Sequence, residues 1–293
     1  RELFTLVDTP LGRTFIYEPV LSNENAVHVL DYERASEVIK TASHIGVGTC
    51  YCRHKMQHLD KVCDAEMDIC MTFNASAASL IKHGHARSID AVECLELLQK
   101  AYEQNLVQFG ENVREGVNFI CNCCSCCCEA MIAARRFTNL NPVHTTNFIP
   151  QIKLENCNAC GRCVNSCPVE AIVLASANDP QHPQRKRANL VAERCLGCGL
   201  CARVAPRSCI EMQPRERRVI TPLNGSHRAV VMAIERGKLQ NLIIDNQVLV
   251  SHRALAGVLG VILRLPPIKQ LLASNQVKSR YLEAMIERLG EKI

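Results

Sequence analysis

The chain has 293 residues, 47% hydrophobic and 22% charged, with a net charge of +5, 4% aromatic residues and no tryptophan. That composition excludes a disordered chain, and the small basic excess lacks the concentrated footprint of a nucleic-acid binder. No run reaches the roughly 18 apolar residues of a membrane span, so no integral membrane segment is expected.

The chain opens on Arg1 rather than Met, which leaves open a targeting segment ahead of it. Residues 1–24 read as an N-terminal arm with strand character in TFIYEPVL. DYERASEVIKTASHIGVG reads as a helix ended by Gly46 and Gly48. TCYCRHKMQHLDKVCDAEMDIC then supplies Cys50, Cys52, Cys63 and Cys70. NASAASLIKHG reads as a short helix capped by Asn74 and stopped by Gly84. Residues 88–107 read as a longer helix, with Cys94 on its apolar, core-facing side.

The stretch ICNCCSCCCEA places Cys121, Cys123, Cys124, Cys126, Cys127 and Cys128 within eight residues. In an extended segment Cys121 and Cys123 share a face and Cys124 opposes them. A helix beginning near Ser125 would align Cys124 with Cys128 at i, i+4. The six sulfurs therefore divide between at least two directions. Cys50/Cys52 and Cys121/Cys123 are two C-x-C pairs able to pinch one centre, with Cys63 and Cys70 completing it or joining the Cys-rich helix. Residues 25–140 are expected to form a helical Cys-rich metal-binding domain. Its preferred occupant is an additional iron–sulfur cluster, and zinc, with or without His54 and His58, is the lesser alternative. Near-adjacent cysteines cannot pair among themselves as disulfides without strain.

From Cys157 the spacing becomes specific. Cys157, Cys160, Cys163 and Cys167, followed by Pro168, form C-x2-C-x2-C-x3-C-P, the ligand run of a 4Fe–4S cluster whose fourth cysteine serves a second cluster. Small residues such as Ala159 and Gly161 let backbone N–H groups approach the inorganic sulfides. At an offset of 38 the run repeats: Cys195, Cys198 and Cys201 match the first three cysteines, and Pro206 matches Pro168. Cys167 can complete the cluster of Cys195, Cys198 and Cys201. The partner cluster of Cys157, Cys160 and Cys163 lacks its fourth ligand, because Ala205 stands where Cys167 predicts a cysteine. Three readings stay open: Cys209 substitutes as ligand, the cluster remains three-liganded as 3Fe–4S or with an open iron, or Cys209 is a buried small hydrophobe.

After the repeat, residues 219–293 are expected to be helical. SHRAVVMAIERGK is one helix, capped by Ser226 and closed by Gly237. SHRALAGVLGVILRL is another, stopped by Pro266-Pro267. IKQLLASNQVKSRYLEAMIERLG is an amphipathic last helix, and LIIDNQVLV is extended or a turn. All 19 cysteines fall between residues 50 and 209, in a chain larger than the usual secreted disulfide scaffold, so a reducing cytoplasm is the expected compartment.

Residues 148–213 resemble the bacterial two-cluster ferredoxin domain. With CYCRH and NFICNCCSCCC ahead of it, the region 25–290 resembles a family of anaerobic bacterial 4Fe–4S dicluster-domain proteins. The resemblance implies an α+β fold, two 4Fe–4S clusters (one of them 3Fe–4S if nothing replaces the ligand at Ala205), and electron transfer to or from a redox partner protein or complex. More distantly the paired cysteines resemble the Cys-Cys-Gly modules of heterodisulfide reductases, although no Cys-Cys-Gly occurs here. Two alternatives follow: a reductase whose N-terminal cluster or dithiol acts on a disulfide or small substrate, and a ferredoxin fused to a structural zinc module. Neither a glycine-rich dinucleotide fingerprint nor a P-loop is present.

Overall fold

The computed structural model describes residues 9–26, 28–137, 143–177, 181, 184–206, 209–243 and 250–264. Residues 10–221 form one compact unit, and 222–293 with 1–9 a second. The chain is α+β, but the Cys-rich N-terminal region is not the helical domain expected from periodicity. It is built on a six-stranded antiparallel sheet with helices against it.

In chain order this part comprises β1 (Gly12–Thr14), α1 (Ala35–Thr41), β2 (Ile45–Thr49), α2 (Tyr51–Gln57), β3 (Asp68–Phe73), α3 (Asn74–Lys82), β4 (Arg87–Ser88), α4 (Ala91–Glu103), β5 (Val107–Glu111), β6 (Phe119–Cys123) and α5 (Glu129–Arg136). The strand order is β1-β5-β6-β3-β2-β4. Strand alternation explains the packing. Ile69, Met71 and Phe73 of β3 are fully buried, while Cys70 and Thr72 take the other direction. Ala35, Val38 and Ile39 of α1, with Cys94, Leu98 and Tyr102 of α4, close the core over Ile45, Val47, Met71, Phe73 and Ile120.

Gly46 and Gly48, read as helix terminators, lie inside β2, and α1 already ends at Thr41. They are small because neighbours crowd them: a Cβ at Gly48 would lie 3.1 Å from the His85 carbonyl oxygen. Strands of two to six residues interleaved with helices leave too short a window for the period-2 signal. Cys94 is buried on α4 as expected, and Asp90 caps that helix by accepting from the Glu93 N–H at 2.8 Å.

The second part of the same unit holds β7 (Phe148–Ile152), α6 (Arg162–Asn165), β8 (Ile172–Ser176), β9 (Lys186–Leu190), α7 (Leu200–Val204) and β10 (Ile210–Pro214). β7 pairs with β10 and β8 with β9, both antiparallel, so each ribbon joins outer strands around the two cysteine runs. The repeat persists in the backbone. Ala159 and Gly161 have φ of +56° and +76°, and their counterparts Gly197 and Gly199 have +69° and +87°.

The other unit carries α8 (Gly225–Glu235), α9 (Leu239–Ile243) and α10 (Val250–Arg264). Asn224, not Ser226, caps α8, accepting from the His227 N–H at 2.9 Å, and Gly237 ends it at φ +64°. Thr9 bonds the Glu235 carboxylate through its N–H at 3.0 Å and its hydroxyl at 2.6 Å. Leu242 and Ile243 of LIIDNQVLV are helical rather than extended. The rest of that stretch up to Leu249, Pro266-Pro267 and the amphipathic last helix lie outside the described residues. No helix among the described residues is long and apolar enough to cross a membrane.

Candidate metal centres

Two pockets sit inside the repeat. The first encloses about 330 Å³ of non-protein space and is lined by Cys167, Cys195, Cys198 and Cys201. The second, about 260 Å³, is lined by Cys157, Cys160, Cys163 and Cys209, with Ala205 also on its wall. Cys167 thus crosses to the cysteines of the second run, as the ligand logic of the repeat requires. Cys209 stands with the first run, on the same pocket as the residue at the vacated position.

The donor set suits thiolate-held clusters. The Ala171 N–H donates to Cys167 Sγ at 3.1 Å, and the N–H groups of Ala188 and Gly197 donate to Cys157 and Cys195 at 3.4 Å. Such bonds stabilise the charged form of the ligand. Apolar surroundings oppose it: burial pushes the Cys198 thiol up to about 12 and Cys201 well above the ordinary thiol range. Cys195 is also raised by burial, against the Gly197 N–H and the Arg215 cation. With Cys195, Cys198 and Cys201 raised in this way, metal loading there releases protons and is favoured by higher pH.

Segments that flank the strands clasp the first pocket. The Tyr17 N–H donates to the Cys198 carbonyl at 2.9 Å, and Thr146 meets Leu196 and Gly197 through its N–H and hydroxyl at 3.0 and 2.8 Å. Arg215 donates to the carbonyls of Cys195 at 2.8 Å and Thr146 at 3.0 Å. Arg203 of α7 reaches the C-terminal end of α4, bonding Asn105 Oδ1 at 2.6 Å and the Tyr102 carbonyl. Thr146 and Arg203 belong to no sequence motif; Arg215 reads in the sequence as part of a solvated basic loop cluster with Arg217 and Arg218, but it is half-buried and spent on these two carbonyls.

The ten N-terminal thiols form two groups. In one, Cys70 and Cys121 lie side by side on adjacent strands with sulfurs 3.9 Å apart, Cys123 and Cys128 are 3.0 Å apart, and Cys52 bonds Cys128. Cys50 stands near Cys52 and Cys70. The two C-x-C pairs do share this group, as their spacing suggested. In the other, Cys63, Cys124, Cys126 and Cys127 have all four sulfurs within 4.8 Å of one another. The helix expected from Ser125 instead begins at Glu129, so Cys124 and Cys128 are not helical neighbours. Residues 125–127 form a turn, which breaks the alternation and lets Cys124, Cys126 and Cys127 converge while Cys128 turns away. His54 and His58 stack on each other, exposed, with Nε2 atoms 3.3 Å apart, and belong to neither group.

Between the groups lies Arg53, fully buried, donating to the carbonyls of Glu66 at 2.8 Å and Asn122 at 2.6 Å. Burial lowers its pKa, but Cys50, Cys124 and Cys63 more than offset that and the net shift is upward. No carboxylate lies within 4.0 Å of it among the described ion pairs. A buried cation without a counter-charge costs several kcal/mol, so its complement is thiolate sulfur. At Cys63 burial raises the pKa, but the Ala65 N–H and bonds with the other three thiols outweigh it and bring it down to about 7. Bonds with Cys123 and Cys52, and the N–H groups of Met131 and Ala130 at the start of α5, hold Cys128 well below the ordinary thiol range.

One apolar cluster joins the six-thiol group to the first pocket: Cys123, Cys128 and Met131 pack with Cys195, Leu196 and Leu200, with Cys167 and Cys198 against them. The second pocket belongs to a separate cluster of Cys163, Ile172, Cys201, Cys209 and Ile210.

Residues 149–206 match the family described as the 4Fe–4S dicluster domain. The chain is 30% identical over 82 residues to Ferredoxin-3 of Nostoc sp. (strain PCC 7120), a match covering 25% of this chain and 84% of that protein. It is 37% identical over 60 residues to NADH-quinone oxidoreductase subunit I of Pelobacter propionicus, covering 19% of this chain and 32% of the subunit, so it spans about a third of that relative.

Proposed function

This chain belongs to the 4Fe–4S dicluster-domain family, and from that premise we propose that it is a multicluster iron–sulfur protein passing single electrons to or from a redox enzyme. The observation that carries the reading is the division of eight cysteines into two four-cysteine pockets. A 4Fe–4S group in each pocket would supply one-electron redox chemistry, with a potential set by ligands, hydrogen bonds and solvent access. Cys167, Cys195, Cys198 and Cys201 hold one; Cys157, Cys160, Cys163 and Cys209 hold the other. Cys209 replaces the ligand absent at Ala205, since it lines that pocket and its thiol lies next to Cys157.

The pockets are unequal by construction. Each pocket has two buried cysteines, Cys195 and Cys201 in the first and Cys163 and Cys209 in the second, but only the second has an exposed one, Cys160. The first pocket shares its apolar wall with the N-terminal thiols, and the second has Cys160 at the surface. Cys50, Cys52, Cys70, Cys121, Cys123 and Cys128 provide ligands for an additional iron–sulfur centre, placed as a further station inward of the first pocket. Cys160 then marks the side where a partner protein meets the chain.

Anaerobic purification with iron, sulfide and zinc counts tests this reading. About eight irons for the two pockets, or about twelve with the extra centre, each with matching sulfide, and an EPR signal on reduction are expected. Zinc in place of iron in the two pockets would sink the electron-transfer role.

A further inference from the structure

We propose that Cys63, Cys124, Cys126 and Cys127 bind a single tetrahedral zinc ion, separate from every iron–sulfur centre of the chain. The spacing of the sulfurs carries this. Cys126 Sγ lies 3.6 Å from Cys127 Sγ, and Cys127 Sγ lies 3.8 Å from Cys63 Sγ. A zinc–thiolate bond is about 2.3 Å, and a regular tetrahedron on that bond has edges of about 3.8 Å. Two edges already stand at that length, and every sulfur of the four lies within 4.8 Å of the others.

A cubane cannot use this arrangement. Each of its thiolates binds a different iron, and the iron–sulfide core lies between them, so the sulfurs are held much further apart. The same molecule supplies the comparison. Among the described residues, only these four form a group of three or more ligand atoms all within 4.8 Å of one another. Neither cysteine set of the dicluster repeat does, and neither does the six-thiol group.

The chemistry and the placement agree. Four sulfurs with no fifth donor make a closed all-thiolate set, the structural kind of zinc site rather than the catalytic kind. Four thiolates on one divalent ion leave two negative charges, and the buried Arg53 guanidinium lies beside Cys63 and Cys124. The site also has something to hold. Leu59, Asp60, Lys61, Val62, Asp64 and Glu66 are all at the surface, so the segment around Cys63 has little apolar burial of its own. Zinc ties it to the turn at Cys124–Cys127. That turn precedes Cys128 and α5, so the ion also fixes where Cys128 enters the six-thiol group.

The test is zinc K-edge absorption on the whole chain purified without oxygen, with metal counts. One zinc per chain, four sulfur scatterers at about 2.3 Å and no metal–metal vector are expected. Cys126→Ser, changing the exposed ligand, should lose the zinc or replace one sulfur scatterer with oxygen, while the EPR signals of the dicluster repeat stay as they were. Trypsin should then cut at Lys61 faster in the variant. Absence of zinc, zinc bound by fewer than four sulfurs in the unaltered chain, or iron and sulfide falling together in Cys126→Ser overturns the proposal. These outcomes are independent of the electron-transfer reading, which fails only if the repeat itself lacks its clusters.

Discussion

Gly197→Ala should destabilise the chain far more than the same change at Gly161, although both glycines have positive φ. At Gly161, φ is +76° and an added Cβ would meet only Leu174 Cδ1 at 4.0 Å. The cost there is that of a left-handed L-residue, about 1–2 kcal/mol. At Gly197, φ is +69°, and the Cβ would lie 2.2 Å from both the Phe148 carbonyl oxygen and Thr146 Oγ1. Thr146 and the start of β7 would have to move away, adding roughly 1–3 kcal/mol of overpacking. The total is roughly 2–5 kcal/mol. At about 2–4 °C per kcal/mol for a unit of this size, the melting midpoint should fall by about 4–20 °C, against about 2–8 °C for Gly161→Ala. The repeat contains its own control, because Ala159, the counterpart of Gly197, already carries a Cβ at φ +56°. The assay is thermal unfolding under anaerobic conditions with iron counted in the same samples. Gly197→Ala should also lose about four irons, since Cys195 and Cys198 flank the displaced glycine. Equal midpoints for the two variants with full iron in both would refute the close-approach reasoning.

Three further outcomes are expected. Cys209→Ala should convert the cluster of the second pocket to a 3Fe–4S form, read as the loss of about one iron per chain and a new EPR signal in the oxidised protein, with the first pocket unchanged. Cys94→Ala should leave every metal count unchanged and cost about 1 kcal/mol in denaturant unfolding, because Cys94 is core. Burial, with Arg13 adding to it, holds His144 down to about 4. The folded chain therefore refuses a proton that the unfolded chain accepts below about 6.5, and stability is lost as pH falls from there toward the folded value. Across that window the midpoint of the unaltered chain should drop more steeply than that of His144→Gln, whose slope lacks this contribution.

The dicluster repeat was legible because its chemistry is local: three cysteines within seven residues line one pocket whatever lies elsewhere. Even the exchange of Cys167 followed from spacing. The sheet was not legible, because β1 and β4 are three and two residues long and β2 is rich in glycine. Their identity comes from pairing with segments remote in sequence. The thiol partition was half legible. Alternation along β6 correctly separated Cys121 and Cys123 from Cys124. Beyond that point the sequence carries no proline or glycine to announce a turn, so residues that bend read as helical. Arg53, next to Cys52 in the chain, carries no local signal of its role, because only the folded sheet makes it the buried cation between the thiol groups.

The unequal burial of the two pockets also sets an order of damage. An oxidant such as dioxygen reaches a cluster through whichever ligand faces solvent, and Cys160 is exposed while none of Cys167, Cys195, Cys198 and Cys201 is. In air the outer pocket should bleach first and the inner one later. A partly oxidised chain would then keep its connection to the N-terminal thiols while losing the outward side. Brief exposure would then silence the Cys160 side, where the proposed redox partner docks, before erasing the centres within.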